Sequence, residues 1–181
     1  MEKNVFLSFV AGILLGLGGF AVYYNFQERC WECSGCVIEK VLSPGSEGTI
    51  LGMIDRAESS IDVEVYTFTY QKIADALIRA HKRGVRVRVI LEPTVDSAAQ
   101  NSIFEYLREN GVEVVWASRK FSKTHSKLVI VDGKKALVGS INLSWHAVNE
   151  NREVAVMIEN CELVKEFQDV FNEDWEKTLS K

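Results

Sequence analysis

His125 and Lys127 open a stretch, THSKLVIVDGKKALVGSIN from 124 to 142, in which Asp132, Gly139, Ser140 and Asn142 follow at short fixed intervals. On a strand, side chains alternate between faces, so His125 and Lys127 project together while Leu128 and Ile130 turn the other way into packing. A histidine acts as nucleophile or as proton donor near neutral pH, and a lysine beside it supplies positive charge. A surface strand with an incidental histidine and lysine would look the same, so the pair alone assigns nothing. The continuation does, because the typed positions run on through Gly-Ser-x-Asn, and Asn151 and Glu153 add an amide and a carboxylate further along.

The pattern His125-x-Lys127-x4-Asp132-x6-Gly139-Ser140-x-Asn142, with Asn151 and Glu153 downstream, resembles the signature of the phospholipase D superfamily. In particular the chain resembles the small members with one motif copy per polypeptide, the bacterial endonucleases and the mitochondrial-surface Zucchini-type nucleases. Phospholipases D proper carry two copies in a longer chain. The resemblance implies displacement at a phosphodiester, which needs a nucleophile, a proton donor for the leaving oxygen and cations around the phosphoryl oxygens. One imidazole cannot attack phosphorus and protonate the opposite side together. The chain has three histidines, and neither His81 nor His146 repeats the motif around it. A two-fold homodimer that brings His125 and its symmetry mate to one shared site is therefore expected.

By the same resemblance, one His125 forms a phosphohistidine while the other donates a proton and then activates water. Lys127 and Asn142, with Ser140, are expected to bind nonbridging oxygens, and Glu153 to accept from the far imidazole nitrogen and fix its tautomer. Asp132 sits in an Asp-Gly turn and is expected to serve that turn more than the substrate. No catalytic metal is implied, because lysines stand where a divalent cation would.

Those residues need a scaffold. IDVEVYTF (61–68), VRVRVILE (85–92) and VEVVWA (112–117) have strand composition, and between them 71–84 and 97–111 have helical spacing that ends at Gly84 and Gly111. Such alternation predicts right-handed crossovers and a parallel core. The motif stretch predicts a hairpin turning at Asp132-Gly133. REVAVMI (152–158) reads as a further strand, and 161–179 as a closing helix with Leu163, Phe167, Val170, Phe171 and Trp175 on one face. The expected fold is α/β, a mixed, mostly parallel sheet flanked by helices, filling residues 46–181 as a phospholipase D-like catalytic domain.

Residues 1–26 read as a membrane anchor, since Val5 to Tyr24 carries no charged side chain for 20 residues. At ~1.5 Å per residue that run spans a ~30 Å hydrocarbon layer. Its length, and the lack of a small-x-small cleavage site, favour an uncleaved single-pass anchor over a signal peptide. Lys3 and Arg29 are each offset by a glutamate, so the side the domain faces is unassigned. Gly12 and Gly16 form a G-x-x-x-G that would let two such helices approach closely.

Residues 27–45 form a cysteine-rich neck. Cys30, Cys33 and Cys36 are spaced to converge on one metal, and the resemblance to Zucchini-type members implies a structural zinc there. A fourth ligand would be Cys161 or a histidine, while disulfides are the simpler outcome for a domain outside a cell membrane.

The formal net charge is -4 and the isoelectric point about 5.5, which excludes binding of nucleic acid through a globally basic field. Any polyanion contact must be local. Arg119, Lys120 and Lys123 stand just before the motif, with Phe121 available to stack on a base, and form the expected substrate-binding cluster. Arg86 and Arg88 alternate with valines and read as the solvated face of a strand. The function expected is a membrane-anchored, homodimeric, metal-free phosphodiesterase acting on single-stranded DNA or RNA. Phospholipid headgroup hydrolysis is the alternative, and an inactive binding scaffold a third, against which the intact His, Lys, Asn and Glu set argues.

Overall fold

Two strand-helix-strand steps build one half of a sheet in the computed structural model, which describes residues 35–95 and 97–179. Strands β2 (Ser60–Val65), β3 (Arg86–Leu91) and β4 (Glu113–Trp116) run parallel, joined by helices α2 (Gln71–Lys82) and α3 (Ala98–Glu109). Each helix stops where the sequence predicts. Gly84 and Gly111 take φ of 93° and 84°, a left-handed turn that a residue with a Cβ adopts only with strain. Ser97 caps α3 by accepting from Gln100 N.

The other half is antiparallel. β5 (Lys127–Val131), β6 (Lys135–Gly139) and β7 (Glu153–Glu159) follow, and β1 (Val37–Ser43) closes the edge, giving the order β1-β7-β6-β5-β2-β3-β4. Short helices α1 (Glu47–Asp55) and α4 (Trp145–Asn149) and the long closing helix α5 (Glu162–Leu179) complete the elements. In β2, Ile61, Val63 and Val65 face a core shared with α1, α2, α3 and α4. The alternate residues Asp62 and Glu64 face α5, where Val164, Phe171 and Trp175 pack on Leu128 and Ile130. The sheet is thus the middle of three layers.

Four expectations change. The sheet is mixed but not mostly parallel, since β2–β3 and β3–β4 are parallel while β1–β7, β7–β6, β6–β5 and β5–β2 are antiparallel. The physical reason lies in residues 117–126, which lead from β4 to β5 with no helix and reverse the chain where a parallel return would need a longer crossover. Second, Val37 to Ser43 belongs to the sheet, so the neck assigned to 27–45 yields seven residues to β1.

Third, α5 turns Leu163 and Val170 to solvent and buries Val164 with Phe171 and Trp175. Fourth, Arg88 is not solvated. Its guanidinium grips Asp62 at 2.7 and 2.9 Å, donates to Asn172 Oδ1 at 2.9 Å and lies over the rings of Phe171 and Trp175. α5 covers the strand face that the Val-Arg alternation assigns to water.

The anchor segment, with its G-x-x-x-G, lies outside the described residues. Among the described residues, no helix is long and apolar enough to cross a membrane. Cys36 is disulfide-bonded to Cys161, and a cystine sulfur has no thiolate to offer a zinc ion. Cys30 and Cys33 lie outside the described residues.

Candidate active site

All the elements that carry the motif meet at one sheet edge. The carboxyl ends of the parallel strands β2, β3 and β4, the start of β5, the end of β6 and the start of β7 lie together there, the edge where α/β sheets place ligands. His125 precedes β5 and is not itself in the strand, which begins at Lys127. The imidazole is exposed and rests against the Tyr66 ring, with centroids 4.4 Å apart. Lys127 Nζ donates to His125 O at 2.8 Å and lies 3.1 Å from His125 Nδ1. The same ammonium is 5.2 Å from the Tyr66 centroid, and that of Lys123 is 5.8 Å from it. One tyrosine face therefore gathers an imidazole and two cations. Partial burial pushes the Lys127 ammonium below the ordinary lysine range, against the opposing pull of Glu153.

Gly139 and Ser140 build the neighbouring wall. A Cβ at Gly139 would collide with Val154 O and Ala155 Cα, so only glycine lets β6 close on β7 there. Ser140 Oγ accepts from Val154 N at 3.1 Å and donates to Glu153 Oε2 at 2.5 Å, while Asn151 Nδ2 donates to Glu153 Oε1 at 3.3 Å. The Ser140 hydroxyl proton is thereby committed to the carboxylate, and Ser140 positions Glu153 where the motif reading has it binding a phosphoryl oxygen. Within one chain Glu153 faces these partners and not His125.

Asn142 is laced in by the loop after β2: Leu143 N donates to Thr67 O and Thr69 N to Leu143 O, each at 3.0 Å. Thr67 N donates to Asn142 Oδ1 at 3.2 Å, which leaves the side-chain N–H groups to donate outward.

Asp132 stands apart. It lies at the far end of β5, about 16 Å from Lys127 at ~3.3 Å per residue. With Gly133 it makes the hairpin turn at φ of 55° and 61°. Its carboxylate accepts from Ser59 N at 2.7 Å, Ser59 Oγ at 2.8 Å, Ser60 N at 3.0 Å and Glu58 N at 3.1 Å. Burial alone would raise its pKa, but the backbone donors of Ser60, Ser59 and Glu58 outweigh it and hold the carboxyl below the ordinary aspartate value. The structure removes Asp132 from the catalytic set and makes it a clamp between the hairpin and the start of β2.

Arg119 and Lys120 are exposed on the loop before the motif. His146 pairs with Glu150 on the surface of α4 at 2.6 Å.

Three groups escape the sequence reading. Tyr66 is one. Glu64 is another: it is 2% exposed, accepts from Ser126 Oγ at 2.7 Å between the two catalytic candidates, and its Oε2 is a buried oxygen without a hydrogen-bond partner among the described residues. Burial pushes the Glu64 carboxyl above its ordinary range, helped by Asp174 and opposed by Ser126 and Lys177. The third is Glu92, which accepts from Thr124 N at 2.6 Å and so braces the residue before His125. A strand-alternation pattern that sets acids opposite valines was the available signal for Glu64; nothing local marks the other two.

A family model described as "Cardiolipin synthase, PLD-like domain" matches residues 50–175. Over 145 residues the chain is 33% identical to the mitochondrial cardiolipin hydrolase of Mus musculus, a match that covers 80% of this chain and 64% of that protein. It thus spans slightly less than two thirds of the mouse protein's length. Over 184 residues it is 28% identical to a phospholipase D of Rickettsia prowazekii, covering 90% of this chain and 87% of that one. Among solved structures, Nuc of Salmonella typhimurium, titled a phospholipase D family member, superposes with a TM-score of 0.74 at 29% identity over 78% of this chain and 95% of its own.

Proposed function

The chain belongs to the phospholipase D superfamily, and we propose on that basis that it is a homodimeric phosphodiesterase that cleaves single-stranded nucleic acid through a phosphohistidine, without a catalytic metal. One observation carries the reading: an exposed imidazole with the Lys127 ammonium 3.1 Å from its Nδ1, present once per chain. In the resting chain Lys127 is parked on His125. An incoming phosphodiester draws the ammonium onto its oxygens.

His125 then attacks phosphorus, forming a P–N bond as the P–O bond to the leaving group breaks, and His125 of the partner subunit gives that oxygen a proton. The same partner imidazole next takes a proton from water, whose oxygen displaces the first histidine and restores both. The two copies of Lys127 and the outward N–H groups of Asn142 hold the phosphoryl oxygens as charge moves among them. Glu153, set by Ser140 and Asn151 and turned away from the histidine of its own chain, holds the proton of the imidazole nitrogen remote from phosphorus on His125 of the partner subunit. Arg119, Lys120 and Lys123 receive the phosphates of the flanking strand, and the apolar 5–24 segment anchors the protein in a bilayer.

A second reading, hydrolysis of a phospholipid headgroup by the same steps, is supported by the names of the mouse and Rickettsia relatives. The experiment that separates the two incubates the full-length protein in detergent and EDTA with labelled single-stranded DNA, single-stranded RNA and cardiolipin, beside H125A. Cleavage of a nucleic acid that H125A loses is the expected result. Headgroup release alone moves the protein to the lipid reading, and activity only when a divalent cation is restored overturns the metal-free scheme.

A further inference from the structure

Three residues before His125 the chain enters a surface cleft of which the catalytic scheme uses Arg119 alone. It lies between the loop after β3, which gives Glu92, Pro93 and Thr94, and the loop from β4 to β5, which gives Ser118, Arg119, Phe121 and Ser122. Its volume is about 520 Å³, within the ~300–1,000 Å³ of sites that take small organic molecules.

The cleft is built, not incidental. Glu92 is 2% exposed, and its carboxylate accepts from Thr94 N at 2.9 Å and Thr124 N at 2.6 Å, tying the two walls together. Fully buried Gln100 donates to Glu92 O at 2.9 Å and accepts from Phe68 N at 2.9 Å, so the first turn of α3 braces the floor. The Glu92 charge is spent inward on these donors and does not face an incoming anion.

What lines the opening is a flat ring, a guanidinium and hydroxyls. Phe121 is 49% exposed, and the Lys177 ammonium lies 5.1 Å from its ring centre. A benzyl ring offers a π face to any base, Arg119 offers a fork to a phosphate, and Thr94, Ser118 and Ser122 offer short donors and acceptors. An acyl chain would find no continuous apolar wall.

We infer that this cleft is a nucleotide subsite. With the scissile phosphate on His125 and Lys127, the adjoining nucleotide seats its base on Phe121 and its outer phosphate against Arg119. The inference rests on the nuclease reading and sharpens its substrate: the base must be unstacked, which selects single strands, and stacking accepts any base, which predicts little sequence preference.

The test uses full-length protein in detergent, with a single-stranded DNA, an RNA of the same sequence, and an abasic phosphodiester strand of the same length. F121A should raise KM on DNA and RNA about tenfold, the loss expected for one stacked base, with kcat within about twofold and with no further loss on the abasic strand. F121W should restore the wild-type KM. R119A should raise KM on all three strands, less so at high salt. Wild-type KM in F121A, or an equal loss on the abasic strand, overturns the subsite while the nuclease reading stands. A loss confined to RNA places the contact on the sugar hydroxyl and overturns the stacking. Failure of the wild-type protein to cut any strand removes the nuclease reading and the subsite with it.

Discussion

The two ends of β5 carry polar residues of one motif and put them to opposite uses. At the Asp132 end both carboxylate oxygens are engaged: backbone and hydroxyl donors of Glu58, Ser59 and Ser60 converge on one carboxylate, and its pKa is held down. At the His125 end the imidazole is exposed, and its lysine neighbour is held by a lone pair and a carbonyl that a phosphate can replace. A saturated polar cluster stabilises. A cluster with exposed, exchangeable partners reacts. Membership of a motif does not tell the two apart; the hydrogen-bond inventory does.

The comparison breaks most visibly by mutation at each end. H125A should lower kcat/KM by about 10⁴-fold or more, as loss of a nucleophile and proton carrier does. Its melting temperature should stay within about 1 °C, because an exposed ring contributes little to stability. D132A should do the reverse. Losing one acceptor leaves the amides of Glu58, Ser59 and Ser60 unpaired and costs about 2–4 kcal/mol in denaturant unfolding, with kcat of the folded fraction within about threefold. A large kcat effect in D132A without unfolding would return Asp132 to the catalytic set.

Titration sharpens the contrast. Asp132 has a folded pKa below its unfolded value of 3.8, so it contributes stability above pH 3.8 that is lost as pH falls through the lower folded value. D132N should therefore be weaker than wild type at pH 6 and approach it in acid. Lys127 is displaced downward from 10.5 by burial, so the alkaline limb of kcat/KM should set in below that value. K127R, whose guanidinium stays charged, should be slow but should lack the limb.

The smallest effect lies mid-strand, at Glu64. Its folded carboxyl binds a proton more tightly than the unfolded one, so stability falls as pH rises from 4.5 toward the higher folded value. E64Q should raise the melting temperature at pH 8 and leave it nearly unchanged at pH 4, an effect of under about 2 kcal/mol.

Much of this was legible where physics is local. The Asp-Gly pair announces a turn with positive φ at both residues, Gly84 and Gly111 end their helices, and the alternation of strand and helix between 61 and 117 gives the parallel half. The rest depends on what lies across space. VIEKVLS at β1 has apolar residues on both faces and, among the described residues, pairs only with β7, more than a hundred residues later, so no short-range signal marks it as a strand. Arg88 sits in an alternation that fits water equally well until α5 packs over it. The sign of β5 relative to β2 was readable in part, since the ten residues from 117 to 126 are too few for a crossover helix. At the site, His125, Lys127, Asn142 and Glu153 were singled out by the resemblance to a family signature, whereas Ser140's turn toward Glu153 and the bracing of Thr124 by Glu92 arise only once three loops converge.

The central claim is that one chain holds half of a site. It is tested most directly by co-expressing wild-type and H125A chains in known ratio and measuring phosphodiester cleavage in EDTA per total protein. A shared site leaves only dimers with two histidines active, so an equal mixture should retain roughly a quarter of the wild-type rate. Retention of about half, the value for chains that work independently, would contradict it.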